Sequence, residues 1–194
     1  MFFLNLFKTI GLVATICFNM TILFGCEALQ EAQKRKQERI MEEMVAQVKP
    51  GNHVSERSTL VGQIAPDFTL TDLNGNSVTL SGLKGKAVLI NFWATWWSSC
   101  RVEVPHLEAL YKEYSSQGLV ILGLSVDQNY DSLKRFAQGL ISYPVLKDSQ
   151  DVSRLYGVSA IPSNFYVDRL GKVNKADVGF HGEFSLENNI KDIL

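Results

Sequence analysis

The residues that could do chemistry are concentrated in one stretch, NFWATWWSSCR, which runs from Asn91 to Arg101 and holds a single thiol at Cys100. A cysteine thiolate at the start of a helix attacks a disulfide readily, because the helix dipole lowers its pKa. Thiol-disulfide exchange within one chain uses two such sulfurs, yet this stretch carries three tryptophans and only one cysteine. It therefore offers one thiol and three large indole surfaces.

The N-terminal segment has the pattern of a bacterial lipoprotein signal. A single charge at Lys8 precedes a long apolar run, as in export signals. The run ends at Leu23, Phe24, Gly25 and Cys26, which resembles a lipobox with Cys26 as the lipidated residue. An uncleaved N-terminal anchor with an incidental cysteine is the alternative. Either interpretation tethers the chain to a membrane of the bacterial cell envelope, facing the periplasm or the cell exterior.

The cysteine inventory argues against a disulfide within the mature chain. Cys17 would leave with the signal and Cys26 would carry the lipid, so Cys100 is the only free thiol that we expect. Disulfides persist in an exported, oxidising compartment, but this chain could form none within itself. Cys100 is consequently interpreted as an inert buried thiol or as a single-thiol sensor.

Composition and charge exclude several classes of function. The chain of 194 residues is 46% apolar, with a net charge of -1 and a sequence pI of about 6.3. It has no basic field to attract nucleic acid, so no nucleic-acid partner is expected. The three histidines, His53, His106 and His181, lack metal-ligand spacing with Cys100, and no glycine-rich phosphate loop or Ser-His-Asp motif is visible. We expect neither a metal nor a cofactor.

Three parts are predicted along the chain. Residues 1–25 form the signal, residues 26–58 form a helical stalk and linker, and residues 59–194 form the folded domain. The stalk is dense in helix formers, but its apolar stripe covers only the second half, which favours a solvated helix over a partner-binding coiled coil. Pro50 and Gly51 end the helix.

Beyond the linker, strand and helix patterns alternate, which predicts an α/β fold. Asn74 and Gly75 lie between two alternating runs and predict a hairpin. The short apolar runs AVLINFWA and LVILGLSV predict strands buried on both faces, and Asp127 ends the second, at the edge where α/β folds bind ligands. Helical spacing predicts a helix from Arg101 to Gln117, and Asp131 is a candidate cap for the next helix. The remaining predicted elements are an extended piece at YPVLKD, a hairpin turning at Asp168 to Gly171, and a final helix from Leu186 to Leu194.

The segment FWATWWSSCRVEVP resembles the active site of membrane-tethered, thioredoxin-like proteins of the TlpA/ResA type, whose pattern is Phe-Trp-Ala-Thr-Trp-Cys-x-x-Cys-Arg-x-Glu-x-Pro. GQIAPDFTLTDLNG resembles the entry hairpin of that family, LKGKAVLINFWA its first central strand, and YGVSAIPSNFYVDRLGKV its segment around a cis-proline. The resemblance begins at about Val61 and extends to the C-terminus. It implies a thioredoxin-like fold, with a central mixed β-sheet flanked by helices and an N-terminal β-hairpin extension.

The resemblance also implies roles for individual residues. Trp97 occupies the position of the nucleophilic cysteine, and Cys100 matches the second, resolving cysteine, which usually lies beneath the first. Glu103 matches an acidic residue that acts as a proton relay or supports the first turn of the helix electrostatically. Pro162 matches the cis-proline, and Ile161 precedes it. Further matches are a strand asparagine, the packed tryptophan at the strand end, the tryptophan before the first cysteine, and the helix-kinking proline, at Asn91, Trp93, Trp96 and Pro105.

The departure at Trp97 predicts that ordinary thiol-disulfide turnover is absent, because an indole cannot supply a thiolate. The resemblance also implies that extended peptides bind against the loop before the cis-proline. Such binding needs backbone groups rather than sulfur, so it can outlive catalysis. We interpret the domain as a binding module for an exported polypeptide or a membrane-protein partner, with Trp96, Trp97, Ile161 and Pro162 as its binding residues. The alternatives are a residual single-thiol redox enzyme or sensor that uses Cys100, and a fold that persists without a clear role.

Overall fold

The computed structural model describes residues 59–148 and 150–194, together with Arg35 and Arg39. Its strands are β1 (Thr69–Thr71), β2 (Ser77–Thr79), β3 (Ala87–Trp93), β4 (Leu119–Ser125), β5 (Val145–Lys147), β6 (Ser163–Val167) and β7 (Val173–Val178). Its helices are α1 (Ser98–Tyr114), α2 (Tyr130–Ala137), α3 (Asp151–Leu155) and α4 (Glu183–Lys191), with short 3-10 helices at Leu80–Leu83 and Ser115–Gln117.

Five of the strands form one mixed sheet in the order β5-β4-β3-β6-β7, and β1 and β2 form a separate antiparallel hairpin. The central strand β3 runs parallel to β4 and antiparallel to β6. All seven residues of β3 are buried, which explains why its sequence is a continuous apolar run rather than an alternating one. The predicted α/β fold, with a mixed sheet flanked by helices and an N-terminal hairpin, is confirmed.

The two faces of the sheet bury two apolar clusters. Leu89 and Trp93 of β3 lie in the cluster that also contains Leu107 of α1 and Ile190 of α4. The alternate residues Ile90 and Phe92 lie in the other cluster, on the opposite face. Helix α1, which follows directly after β3, is therefore held against the sheet by side chains from its own preceding strand.

Two compact units make up the chain, Met1–Gln47 and Val48–Leu194. In the first unit the structure describes Arg35 and Arg39, both of which are helical. The predicted signal, the lipidation site Cys26 and the predicted linker up to residue 58 lie outside the described residues, so the three-part division stays a prediction. None of the helices in the described part of the chain is long and apolar enough to cross a membrane.

Helix boundaries differ from the predicted ones at both ends of α1 and α4 and at the cap of α2. Helix α1 ends at Tyr114 rather than at Gln117, and α4 ends at Lys191 rather than at Leu194. Helix α1 begins at Ser98 rather than at Arg101, and α4 begins at Glu183 rather than at Leu186, because the helical spacing used for the predictions begins at Val104 and at Leu186. In α1, Cys100 extends the buried stripe into the first turn. Asn129, and not Asp131, caps α2: its side-chain oxygen accepts a hydrogen bond from the Ser132 amide at 3.0 Å. Helix α3 has five residues, too few to show a helical period, and the sequence did not predict it.

Candidate functional site

The candidate site lies at the carboxyl end of β3, where the chain turns into α1. Trp93 is fully buried at the end of the strand, and its carbonyl accepts a hydrogen bond from the Val126 amide at 2.9 Å. Trp97 is the N-cap residue of α1, with extended backbone angles of φ -93° and ψ 121°. Its carbonyl accepts a hydrogen bond from the Arg101 amide at 3.1 Å, which starts the helix. The indole thus stands at the amino end of a 17-residue helix.

Trp96 and Trp97 are exposed although their side chains are among the largest in the chain. Trp96 is 64% exposed and Trp97 is 44% exposed. Their ring centroids lie 5.8 Å apart with the ring planes at 83°, an edge-to-face arrangement that aromatic pairs favour. The Trp93 ring is buried against Phe136, so the three neighbouring tryptophans divide into one core residue and one exposed pair. We refer to Trp96 and Trp97 as the indole pair.

Cys100 is a free cysteine with no exposed surface, one turn into α1. Burial raises the pKa of its thiol to about 12, and the negative charges of Glu103 and Asp127 act in the same direction, against an opposing hydrogen bond with the Ala94 backbone. The thiol therefore stays protonated at neutral pH, and a protonated thiol is a poor nucleophile.

Glu103 lies one turn further along α1, buried with two amide side chains. Asn91 Nδ2 donates a hydrogen bond to Glu103 Oε2 at 3.0 Å, and Asn164 Nδ2 donates one to Glu103 Oε1 at 2.6 Å. Asn91 Nδ2 also donates to Asn164 Oδ1 at 2.8 Å, which closes a ring of three side chains. Burial raises the pKa of Glu103 to about 7 although both amides favour the charged form. Glu103 consequently exchanges its proton near neutral pH.

Asn164 is a site residue that sequence reasoning missed. It lies opposite Asn91 in the antiparallel pair of β3 and β6, and both side chains are buried among apolar neighbours. The signal in the sequence was a polar residue directly before the run FYV of a strand that is buried throughout. It could be recognised as a partner of Glu103 only after the register of β6 against β3 was known.

Ile161 and Pro162 are joined by a cis peptide bond, as the family resemblance implies. Pro162 is buried, and its carbonyl accepts a hydrogen bond from the Gly179 amide at 2.8 Å. Ile161 is partly buried and packs against the apolar cluster that contains Cys100 and Trp93. The structure thus brings Cys100, Trp93 and Ile161 into one cluster, while Trp96 and Trp97 are exposed at the start of α1.

Asp127 lies just beyond β4 and holds the segment that leads into the indole pair. Its Oδ2 accepts a hydrogen bond from the Thr95 amide at 2.9 Å, and its Oδ1 accepts one from the Thr95 hydroxyl at 2.6 Å. The Ser125 hydroxyl donates a third to Oδ2 at 2.7 Å. The sequence drew attention to Asp127 only because it ends a strand, and its partners become visible only in the structure.

The described histidines have packing roles. His106 stacks on Phe180, with ring centroids 5.3 Å apart, and its Nδ1 lies 3.2 Å from Glu183 Oε2. His181 Nε2 lies 2.9 Å from the Val178 carbonyl oxygen. Within residues 59–148 and 150–194, no group of three or more His, Cys, Asp or Glu side chains could hold a metal ion. His53 lies outside the described residues.

The arrangement has a limited chemical repertoire. A disulfide cycle needs an accessible thiolate, and none of the exposed side chains at the start of α1, those of Trp96, Trp97 and Ser98, carries a sulfur. Two cavities on the described surface, of about 270 and 500 Å³, are lined by residues other than the indole pair. The indole pair itself is largely exposed, and exposed aromatic rings of this size are suited to contact with a protein segment.

Comparison with known proteins gives the family. Residues 61–176 match the AhpC/TSA family. The thiol-disulfide oxidoreductase ResA of Geobacillus kaustophilus is 36% identical over 145 residues, which cover 73% of this chain and 83% of that protein. ResA of Bacillus subtilis is 38% identical over 120 residues, which cover 61% of this chain and 67% of that protein.

Solved structures agree with the sequence matches. The thioredoxin domain of a thiol-disulfide oxidoreductase from Bacteroides vulgatus superposes with a TM-score of 0.63 at 31% identity, covering 70% of this chain and 98% of that one. The exposed lipoprotein thioredoxin of Streptococcus pneumoniae superposes with a TM-score of 0.58 at 29% identity, covering 66% of this chain and 99% of that one. From its sequence matches, its mixed sheet and its cis-proline, the chain belongs to the AhpC/TSA family, as a homologue of the ResA-type thiol-disulfide oxidoreductases.

Proposed function

We propose that the domain is a redox-degenerate binding module, tethered to a membrane, that binds exported polypeptides or a membrane-protein partner through the indole pair. The observation that carries this proposal is the exposed pair at the start of α1, where the family pattern has its attacking cysteine. A sulfur-free surface at that point can still bind a chain, but it cannot begin an exchange.

The remaining thiol does not replace the missing one. Cys100 has no exposed surface, and the raised pKa of its thiol leaves very little thiolate at neutral pH. A single-thiol enzyme or sensor would need that sulfur to reach solvent and to ionise. The buried position of Cys100 and the raised pKa of its thiol meet neither requirement, so binding is the better-supported function.

The indole pair has the properties of a binding surface. Tryptophan is enriched among the residues that contribute most to protein interfaces, because each ring buries a large apolar area and retains one polar donor. Exposing two adjacent indole rings to water costs free energy. Exposed apolar patches of this kind mark interaction sites. An extended segment that covers the pair could add backbone hydrogen bonds to its contact with the rings.

A cell-envelope location completes the proposal. The lipobox-like sequence that ends at Cys26 supports a lipid anchor facing the periplasm or the cell exterior. The homologue from Streptococcus pneumoniae is described as an exposed lipoprotein, which supports the same location. In that compartment the partners at hand are exported chains and the outer domains of membrane proteins.

Intrinsic fluorescence provides the test, because all three tryptophans of the chain are Trp93, Trp96 and Trp97. Titration of the full chain with an unfolded, cysteine-free polypeptide is expected to shift the tryptophan emission in a saturable way. NMR chemical shifts of Trp96, Trp97 and Ile161 should move in the same titration. Replacing both indole rings, in Trp96→Ala with Trp97→Ala, should abolish binding.

Leu170→Ala is the matched control, since Leu170 is a large apolar side chain that is 79% exposed. It lies in the turn that follows β6, whereas Pro162 lies at the other end of that strand. Leu170→Ala should bind like the unaltered chain. Equal loss of binding in Leu170→Ala, or shifts that avoid all three site residues, would overturn the proposal.

Insulin reduction with dithiothreitol tests the redox half of the proposal. The unaltered chain should give only the background rate, and Cys100→Ser should leave that rate unchanged. Trp97→Cys restores a Cys-x-x-Cys pattern at the amino end of α1, where the helix dipole favours a thiolate, and should raise the rate well above background. An unaltered chain that reduces insulin in a Cys100-dependent way contradicts the proposal.

A further inference from the structure

Asp127 is a buried carboxylate whose bonds lead to the indole pair. It is 6% exposed, and no Lys, Arg or His of the described chain forms a salt bridge with it. A buried carboxylate without a cation must be satisfied by hydrogen-bond donors, and Asp127 has three of them on its two oxygens. Two of the three come from Thr95, the residue immediately before the pair.

The two bonds from Thr95 fix that residue at two points. Its amide donates to one carboxylate oxygen at 2.9 Å, and its hydroxyl donates to the other at 2.6 Å. A two-point clasp sets both the position and the rotation of Thr95, and hydrogen bonds to a charged acceptor are stronger than neutral ones. Ser125, the last residue of β4, holds Asp127 in place. Its hydroxyl donates to Asp127 Oδ2 and accepts a hydrogen bond from the Asp127 amide.

We propose that Asp127 is a positioning residue: by clasping Thr95 against the end of β4, it sets the orientation in which Trp96 and Trp97 meet a bound chain. The inference rests on the proposed function, because it assigns the binding surface to the indole pair. Its physical basis is preorganisation, since a surface that is already ordered loses less freedom when a partner binds.

A structural role alone would give a different result, and a second clasp in the chain separates the two roles. Ser142 holds the buried carboxylate of Glu108 in the same way, with its amide donating to Oε2 and its hydroxyl to Oε1, both at 2.8 Å. Ser142→Ala therefore removes one hydroxyl donor from a similar two-point contact on a carboxylate that also pairs with Lys112 at 3.0 Å. In the described part of the chain, this carboxylate has no hydrogen bond to Thr95, Trp96 or Trp97. Ser142→Ala is the control for Thr95→Val, which removes the Thr95 hydroxyl and keeps the shape of the side chain.

The experiment measures three quantities on the full chain: the melting temperature, the fluorescence anisotropy and acrylamide quenching of the tryptophans, and the affinity for the unfolded polypeptide. Thr95→Val and Asp127→Asn should lower the anisotropy, increase the quenching and weaken binding by about tenfold, the equivalent of ~1.4 kcal/mol. Thr95→Ser, which retains both donors, should stay within about twofold of the unaltered chain. Ser142→Ala should lower the melting temperature without changing the tryptophan signals or the affinity.

The inference is overturned if Thr95→Val and Asp127→Asn leave the anisotropy and quenching unchanged, or if Ser142→Ala changes them equally. These signals are recorded without added polypeptide, so they test the inference even where binding fails. An unaltered chain that binds no polypeptide, but whose tryptophans loosen in Thr95→Val, would refute the proposed function while supporting the positioning by Asp127.

Discussion

Burial acts on two neighbouring side chains of α1 with different consequences at neutral pH. It raises the pKa of Cys100 to about 12, which leaves that group protonated throughout the physiological range. It raises the pKa of Glu103 to about 7, which brings that carboxyl into the range where it titrates. At neutral pH, therefore, the Cys100 thiol does not ionise, whereas the Glu103 carboxyl can still exchange its proton.

Alkylation of Cys100 measures the first effect. We expect iodoacetamide to modify this thiol at pH 7.5 at least about 1,000-fold more slowly than free cysteine, because a pKa of about 12 leaves little thiolate. Mass spectrometry of the peptide that contains Cys100 distinguishes it from Cys17 and Cys26, and modification should reach completion in denaturant. Rapid modification of the native chain would contradict the burial argument and favour a sensor.

Glu103 should make the stability of the domain fall as pH rises from about 4.5 to 7. The unfolded carboxyl releases its proton near its ordinary pKa of 4.5, whereas the folded one holds it up to about 7. Over that interval the folded state binds more protons than the unfolded state, so raising the pH favours unfolding, by up to ~3 kcal/mol. Below pH 4.5 the contribution of this group is constant.

Urea unfolding at several pH values, with and without Glu103→Gln, isolates this contribution. The amide cannot ionise, so Glu103→Gln should flatten the pH dependence between 4.5 and 7 and gain stability relative to the unaltered chain as pH rises. Glu113→Gln, an exposed position on the same helix, is the control and should keep the slope of the unaltered chain. If the free energy of unfolding of Glu103→Gln changed with pH as steeply as that of the unaltered chain, Glu103 would not be the source of the pH dependence.

At the scale of elements, apolar patterns predicted the strands and the longer helices, but neither the five-residue α3 nor where the helices begin. The runs AVLINFWA and LVILGLSV are β3 and β4, because a strand covered on both faces must be apolar throughout. In the first turn of α1 only Cys100 is buried and Ser98 is exposed, so the apolar pattern is too short to show where the helix begins. Asn129 was missed as the cap of α2 because Asp131, two residues later, is also a good capping type.

Gly118 ends the 3-10 turn that follows α1, and alanine should be costly there. Its φ is 100°, in the left-handed region, and an added Cβ would lie 3.2 Å from the guanidinium of Arg169. Gly75 has a similar φ of 87°, but an added Cβ there meets no atom within 4 Å. Gly75→Ala should cost ~1 kcal/mol for the backbone alone, and Gly118→Ala should cost more. Equal costs in urea unfolding would show that the approach of Arg169 is not constraining.

At the scale of the whole molecule, the features that could be predicted are those that follow from a local match to the family pattern. The features that were missed are contacts between segments that are far apart in the sequence. The cis bond before Pro162 and the buried position of Trp93 follow from local matches. Asn164 meets Glu103 only because β6 pairs with β3 in one register. Thr95 meets Asp127 only because β4 lies beside β3, and hydrogen bonds of this kind leave no periodic trace in a sequence.

Arg169 joins three segments that are far apart in the sequence, and its removal tests how much the fold depends on such contacts. Its guanidinium donates to the backbone oxygens of Leu194 at 2.6 Å, Gln117 at 2.9 Å and Gly85 at 3.2 Å. These residues lie after α4, at the end of the turn after α1, and before β3. Because the side chain is exposed, water replaces part of what is lost, and Arg169→Ala should destabilise the domain by ~1–2 kcal/mol.

Arg169→Lys distinguishes geometry from charge in the same unfolding experiment. An ammonium group has the charge of a guanidinium but not its planar fork, so it cannot reach three segments at once. It should recover less than half of the stability that Arg169→Ala loses, while tryptophan fluorescence and polypeptide binding stay unchanged in both variants. Full recovery of stability in Arg169→Lys would mean that a positive charge near the three carbonyl oxygens is enough to stabilise the domain. The planar geometry of the guanidinium would then make no separate contribution.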